Sequence, residues 1–303
     1  MKLTFATRAS ALARWQTQWV MDALQRLHPD LACEEKLVAT QGDKTLDKPL
    51  PEIGGKGVFT EELEAELLRG TVQCAVHSLK DLPVDATRGL TLGCIPPRAD
   101  VRDALVSVEG YKLLTLPRGA KVGTSSLRRS AQLLAIRPDL QIASLRGNVD
   151  TRVRRALHGE YDAIILAGAG LIRLGLDKHV TEWIAADVML PAPGQAAMAV
   201  QCRADDAFTL DLLRPLDDLP TRKAVTAERA FLSRLGGGCA VPVAALAQVT
   251  EAINLTGLVA STDGTQMIHV TGKGDEPGQL GKRLANEALA KGAAAILAEA
   301  VRS

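Results

Sequence analysis

The chain has 303 residues, enough for two or three domains of about 100–150 residues each, and its 47% hydrophobic and 23% charged content is that of a soluble globular protein. A formal net charge of only +1 and 3% aromatic residues count against a nucleic-acid partner. No apolar run approaches the ~18–20 residues that cross a bilayer, and the start carries no secretory pattern, so no membrane partner is expected and the default location is the cytoplasm.

Taken in chain order, Leu3–Thr7 reads as a strand and Ser10 as the cap of a helix, with Leu12, Trp15, Trp19, Ala23 and Leu27 on one stripe. A second strand is predicted at Cys33–Thr40. Asp43–Lys56, with Pro49, Pro51 and Gly54-Gly55-Lys56-Gly57, reads as a surface loop. Thr60 should cap a helix ending at Arg69. Cys74–Leu79 and Leu90–Ile95 are apolar strands, the first leading into Lys80-Asp81.

A second unit repeats the style. Strands are predicted at Asp103–Val108, Lys121–Gly123, Gln141–Leu145 and Asp162–Ala167, with helices after Ser125-Ser126, from Val149 to Leu157 and from Ala169 to Leu174. This alternation predicts mostly parallel sheets covered on both faces. Pro191-Ala192-Pro193-Gly194 interrupts it, and the strand Met198–Arg203 is placed back in the first sheet, making that domain discontinuous. The last third differs: a helix at Arg222–Leu235, the loop Gly236-Gly237-Gly238-Cys239, three strands between Val241 and Gly272, and one helix from Leu280 to Val301. The expected domains are 1–97 with 197–216 (α/β), 98–196 (α/β) and 217–303 (α+β).

The near-neutral total hides an asymmetry. From Arg118 to Arg155, nine Lys/Arg stand against two acids, so the stretch carries +7 and the remainder −6. In open α/β sheets ligands gather beyond the carboxyl ends of strands. Ser126, Arg128 and Arg129 follow one predicted strand, Arg146 and Arg152 a second, and Arg173 a third. A lone arginine is more often a solvated surface charge. Repetition at equivalent points favours bidentate recognition of carboxylate or phosphate. Arg154 and Arg155 lack that placement and read as surface residues. In the first unit, Arg8 and Ser10 again lie between strand and helix, and His77-Ser78-Leu79-Lys80-Asp81 ends a strand. A carboxylate near such cations stays ionised and can stabilise a developing cation or carry a proton.

Other chemistries lack support. The GxxxxGK[ST] spacing is absent around Lys56, and Gly168-Ala169-Gly170 is no GxGxxG. Five widely spaced cysteines without CxxC and five histidines without HxxxH suit neither a disulfide framework nor a metal site. Cys239, behind three glycines, has the backbone freedom of a nucleophile or an attachment point, although most free cysteines are merely packed.

Several blocks together resemble one family. They are Ala6-Thr7-Arg8-Ala9-Ser10, Gly54-Gly55-Lys56-Gly57-Val58-Phe59, His77-Ser78-Leu79-Lys80-Asp81-Leu82-Pro83, Gly123-Thr124-Ser125-Ser126-Leu127-Arg128-Arg129, Leu145-Arg146-Gly147-Asn148-Val149, Tyr161–Ala167 and Gly236-Gly237-Gly238-Cys239. In order and spacing the chain resembles the porphobilinogen deaminases (hydroxymethylbilane synthases). The resemblance implies two periplasmic-binding-protein-like α/β domains and a small C-terminal α+β domain. It implies a dipyrromethane cofactor joined to Cys239 by a thioether. It also implies the head-to-tail condensation of four porphobilinogens, with loss of ammonia, to hydroxymethylbilane.

Each pyrrole brings an acetate and a propionate. On the resemblance, Arg8, Ser10, Lys80, Ser126, Arg128, Arg129, Arg146, Arg152 and Arg173 meet those carboxylates, and Asp81 is the catalytic aspartate that stabilises the azafulvene cation. Lys56 and Phe59 belong to a lid loop, and Gln195 stands at a crossing between the first two domains. The resemblance further implies a monomer whose product passes to uroporphyrinogen-III synthase. Three positions depart from the family pattern: Gln41 for a frequent arginine, Glu52 for a lysine found in some relatives, and Ala196 for the glycine usual after Pro193-Gly194-Gln195.

Overall fold

A computed structural model describes residues 2–44, 57–237 and 241–300. Lys56 and Glu52 of the glycine-rich segment, and Cys239, lie outside the described residues. The chain opens with β1 (Lys2–Thr7), α1 (Ala11–Leu27), β2 (Ala32–Leu37), the single turn α2 (Gln41–Lys44), α3 (Glu61–Leu68), β3 (Cys74–Ser78) and β4 (Leu90–Cys94). It continues with β5 (Asp103–Val106), β6 (Lys121–Gly123), α4 (Leu127–Ile136), β7 (Gln141–Ala143), α5 (Val149–Leu157), β8 (Ala163–Ala167), α6 (Gly168–Arg173) and β9 (Glu182–Ile184). Then come β10 (Met198–Arg203), α7 (Ala207–Leu213), α8 (Leu219–Arg234), β11 (Val243–Val249), β12 (Ile253–Ala260), β13 (Met267–Gly274), α9 (Pro277–Ala290) and α10 (Ala293–Ala300).

Two compact units result, one of 1–98 with 197–222 and one of 99–196 with 223–303. The first holds a five-stranded sheet ordered β2-β1-β3-β10-β4, the second a five-stranded sheet ordered β7-β6-β8-β5-β9 and the three-stranded sheet β11-β12-β13. The five-stranded sheets follow one plan, with the fourth place taken by the strand that begins just after the chain crosses between units.

The sheets are mixed rather than mostly parallel. β1 runs parallel to β2 and β3, but β10 is antiparallel to β3 and β4. Likewise β6 is parallel to β7 and β8, while β5 is antiparallel to β8 and β9. A crossing strand enters its sheet without the βαβ connection that enforces parallel order, so alternation of elements could not reveal its direction.

The buried face of α1 also differs from the expected stripe. Gln16, Val20, Met21, Ala23 and Leu24 are buried, and Leu27 is exposed. Gln16 turns inward because its amide hydrogen-bonds Ser78 Oγ at the end of β3. Val20 and Leu24 join Leu3, Phe5, Cys74 and Cys202 in the core of the first sheet.

The predicted C-terminal helix is two helices, broken at Gly292, whose φ of 103° is left-handed backbone that glycine adopts without a side-chain clash. The three-stranded sheet buries one face on Phe231 of α8 with Leu280 and Leu284 of α9. Ala244 and Leu258 pack with Ala131 of α4 and Leu190. Glu228, fully buried on α8, accepts hydrogen bonds from Gly194 N and Ala247 N, tying the 191–195 connection to β11.

Ala196, at the second crossing, has φ 69° and is the one non-glycine at positive φ among the described residues. An L-residue there carries ~1 kcal/mol of steric strain that a glycine would not. Its carbonyl accepts hydrogen bonds from Ala99 N and Arg173 Nη2, which hold the peptide in place.

Candidate functional site

In the first unit, Ser10 caps α1 by accepting from Ala13 N at 3.4 Å. Arg8, just before it, donates Nε and Nη2 to the two carboxylate oxygens of Asp43 and lies 4.1 Å from the centroid of the Phe59 ring. Lys80 and Asp81 fall in a single 3-10 turn, Leu79–Asp81, at the end of β3. Asp81 is exposed and makes no hydrogen bond or ion pair among the described residues.

The turn carrying Asp81 sits on a rigid base. His77 is buried and shares a hydrogen bond at 3.1 Å between Nε2 and Gln201 Oε1; Gln201 donates to Glu64, which accepts from Thr87. Burial drives the His77 pKa down from 6.5 to about 4. The unfolded chain therefore takes up a proton near pH 6.5 that the folded protein resists until about pH 4. Stability is full above pH 6.5 and falls by up to ~3 kcal/mol as pH drops through that window. Melting curves at pH 7.0 and 4.5 should show a larger loss for the parent than for His77→Gln; equal losses would remove His77 as the cause.

In the second unit, the expected anion grip has a different internal arrangement. Arg128 and Arg129 do stand in the first turn of α4, with Ser126 as its N-cap accepting from Arg129 N. Both arginines are buried, at 5% and 6% exposure, and both are paired with Asp103, which is fully buried. Arg128 Nη1 reaches Asp103 Oδ2 at 2.8 Å and the carbonyl of Leu190 at 2.9 Å. Arg129 reaches Asp103 Oδ1 through Nη2 at 2.8 Å and Nε at 3.1 Å. Gln195, also buried, donates to the same Oδ1 at 2.9 Å and to Val101 O.

Burial alone would raise the Asp103 pKa, but the two guanidinium groups hold it well below the usual carboxylate range. Burial lowers the pKa of Arg128, with Asp103 opposing. Sequence reasoning missed Asp103. The one available signal was an acid at the head of the apolar strand Asp103-Ala104-Leu105-Val106.

Two positive charges on one carboxylate leave this buried cluster with an excess of one. Among the described residues, Arg128 Nε is buried without an acceptor, and so is Nη1 of Arg146, in the connection after β7. Arg152 donates Nε to Gly147 O at 2.6 Å. Arg173 is largely buried, its pKa brought down to about 10 by burial, so it stays protonated at neutral pH. Much of the +7 stretch is otherwise answered locally: Arg137 by Asp139, Arg154 by Asp150 and Arg155 by Glu160. Arg154 is 63% exposed, as expected of a surface residue, whereas Arg155 is 35% exposed and also donates to the Tyr161 hydroxyl.

The four described cysteines suit packing rather than chemistry. Burial raises the pKa of Cys33, Cys74 and Cys94 and brings Cys202 up to about 11, which suppresses their thiolates. The described residues hold no cluster of metal-ligating side chains and no helix long and apolar enough to cross a membrane.

These features define an α/β protein with two like-ordered five-stranded sheets, a buried arginine cluster and a further three-stranded sheet. Residues 3–211 match the family model "Porphobilinogen deaminase, dipyromethane cofactor binding domain", and residues 222–290 match "Porphobilinogen deaminase, C-terminal domain". A porphobilinogen deaminase of Brevibacillus brevis is 50% identical over 303 residues, covering 99% of this chain and 98% of the relative. One from Roseiflexus castenholzii is 51% identical over 298 residues, covering 98% of each. A solved structure, the Bordetella pertussis BvgS VFT2 domain, overlays with a TM-score of 0.44 at 14% identity, over 76% of this chain and 92% of that one. The chain belongs to the porphobilinogen deaminase family.

Proposed function

We propose that the protein condenses four porphobilinogens head to tail, releasing ammonia at each step, to give hydroxymethylbilane. The observation that carries the site assignment is the buried cationic excess around Asp103, with donors on Arg128 and Arg146 that lack an acceptor. An unanswered buried donor costs ~1–3 kcal/mol, more when charged. A carboxylate-bearing ligand would balance the cationic excess, so the residues fit a dipyrromethane with its acetate and propionate groups. Ser126, Arg128, Arg129, Arg146, Arg152 and Arg173 would hold it, with Gln195 keeping Asp103 in place and Cys239 as the attachment point. When bound, the dipyrromethane supplies the free pyrrole position to which the first substrate is joined.

The chain's own groups do the rest. Arg8, Ser10 and Lys80 pair with substrate carboxylates. As the C–N bond breaks, its electrons leave with nitrogen and positive charge grows on the pyrrole. The Asp81 carboxylate accepts the pyrrole N–H and stabilises that charge. Asp81 suits this role because its charge is spent on no other residue among those described. Phe59, and Lys56 beyond the described residues, belong to a lid in this reading. The same proposal divides the chain into domains 1–97 with 197–216, 98–196 and 217–303. It takes the protein as a cytoplasmic monomer that passes its product to uroporphyrinogen-III synthase.

The test is an intact mass with a peptide map, after expression in a haem-making host. The expected mass exceeds the bare sequence by the bound dipyrromethane, and the peptide carrying Cys239 bears the addition. A mass equal to the bare sequence, with Cys239 unmodified, would sink the cofactor assignment.

A further inference from the structure

Arg8 is held more firmly than a substrate-binding arginine on a strand-to-helix connection need be. Its Nε and Nη2 edge is fixed side-on by both oxygens of Asp43. Asp43 is itself anchored by the Thr40 hydroxyl, which donates to Oδ2 at 2.7 Å. One face of the guanidinium lies on the Phe59 ring, 4.1 Å from its centroid. That ring is seated over Gly42, where an added Cβ would fall 2.1 Å from Phe59 Cε1; only a glycine leaves room. Gly42 N donates to Val58 O, so the turn that carries Asp43 and the turn that carries Phe59 are joined directly.

Yet Arg8 is not sealed in. Its side chain keeps 21% exposure, and Nη1 has no hydrogen-bond partner among the described residues. A purely structural pair would more economically use every donor. Here one edge is immobilised and the other is left open among the described residues.

We infer that Asp43, with Phe59 and Gly42 behind it, is a positioning residue that fixes Arg8 by its side-on edge and presents the Nη1 edge to a carboxylate of the incoming pyrrole. This rests on the reading of Arg8 as a carboxylate-binding residue. The gain comes from order rather than charge, since Arg8 and Asp43 together are neutral. An arginine side chain has much rotamer freedom to lose on binding, and one already locked in place loses little when the ligand arrives. Asp43 itself stays ionised: burial opposes its charge, but hydrogen bonds from Arg8 and Thr40 win, and its pKa lies below the ordinary value.

The experiment uses the cofactor-loaded enzyme with porphobilinogen. Asp43→Ala should raise KM about tenfold while kcat changes by less than about threefold, the signature of lost binding order. Asp43→Asn, which keeps the shape and one acceptor, should raise KM by about threefold and covers the case in which the alanine variant fails to fold. Arg8→Ala should raise KM as well, and the double variant Arg8→Ala/Asp43→Ala should match Arg8→Ala alone, because Asp43 acts only through Arg8. A second readout needs no turnover: phenylglyoxal should modify Arg8, followed by peptide mass, several-fold faster in Asp43→Ala than in the parent. A parental KM in both Asp43 variants beside a raised KM in Arg8→Ala would overturn the positioning role alone. So would an Asp43 effect that persists at full size in the Arg8→Ala background. An Arg8→Ala enzyme with parental KM would overturn the reading of Arg8 itself, and the inference with it.

Discussion

Asp103→Asn should destabilise the protein by about 3–5 kcal/mol, the usual cost of removing one partner from a buried ion pair. Asp103 is fully buried and answers two buried arginines, so its loss strands both charges at once. Asparagine keeps the size and one acceptor, which isolates charge from packing. At ~2–4 °C per kcal/mol for a chain of this size class, the melting temperature should fall on the order of 10 °C. The pH dependence follows from the sign of the shift. The folded pKa lies well below the ordinary 3.8, so the carboxylate's contribution is complete above that value and is lost only as pH falls beneath it. The deficit of the variant should therefore be the same at pH 6 and pH 8. A variant that melts within ~2 °C of the parent would show that the arginines find other acceptors.

Asp81→Ala should have the opposite profile. Asp81 is exposed at the end of a 3-10 turn and makes no ion pair among the described residues, so its removal should change stability by no more than ~0.5 kcal/mol. Turnover should fall by about 10²–10⁴-fold, the range lost with a positioned proton-handling or charge-stabilising group. The variant should keep its covalent dipyrromethane by intact mass. Full activity in this variant would remove Asp81 from the mechanism. The pair of variants separates two kinds of charge. Asp103 is consumed by the fold, and Asp81 is left over from it.

The same separation explains what could be read from the residues beforehand. Ser10 and Ser126 were legible as helix caps because capping is local: the hydroxyl serves an N–H three residues on. Strand and helix alternation was legible for the same reason, since side-chain period and turn residues act over a few positions. The break at Gly292 was visible in principle, as a glycine inside an apolar helix pattern, but its positive φ follows from how α10 packs beneath the three-stranded sheet. The shifted stripe of α1 depended on Gln16 meeting Ser78, 62 residues away.

By itself the sequence determined the α/β alternation, the cationic stretch from Arg118 to Arg155 and the blocks that mark the family, because each is carried by neighbours in the chain. Only the tertiary structure decided which charges remain available. The partners of Asp103 lie 25, 26 and 92 residues along the chain, and Asp43 meets Arg8 across 35. Among the described residues, arginines that look alike in sequence differ accordingly: Arg128 and Arg129 are spent on a buried carboxylate, Arg8 is held with one edge open, and Arg146 keeps a buried donor unanswered. That division depends on burial and on long-range partners, which set the free energy of a charge and leave no periodic trace in the residues around it.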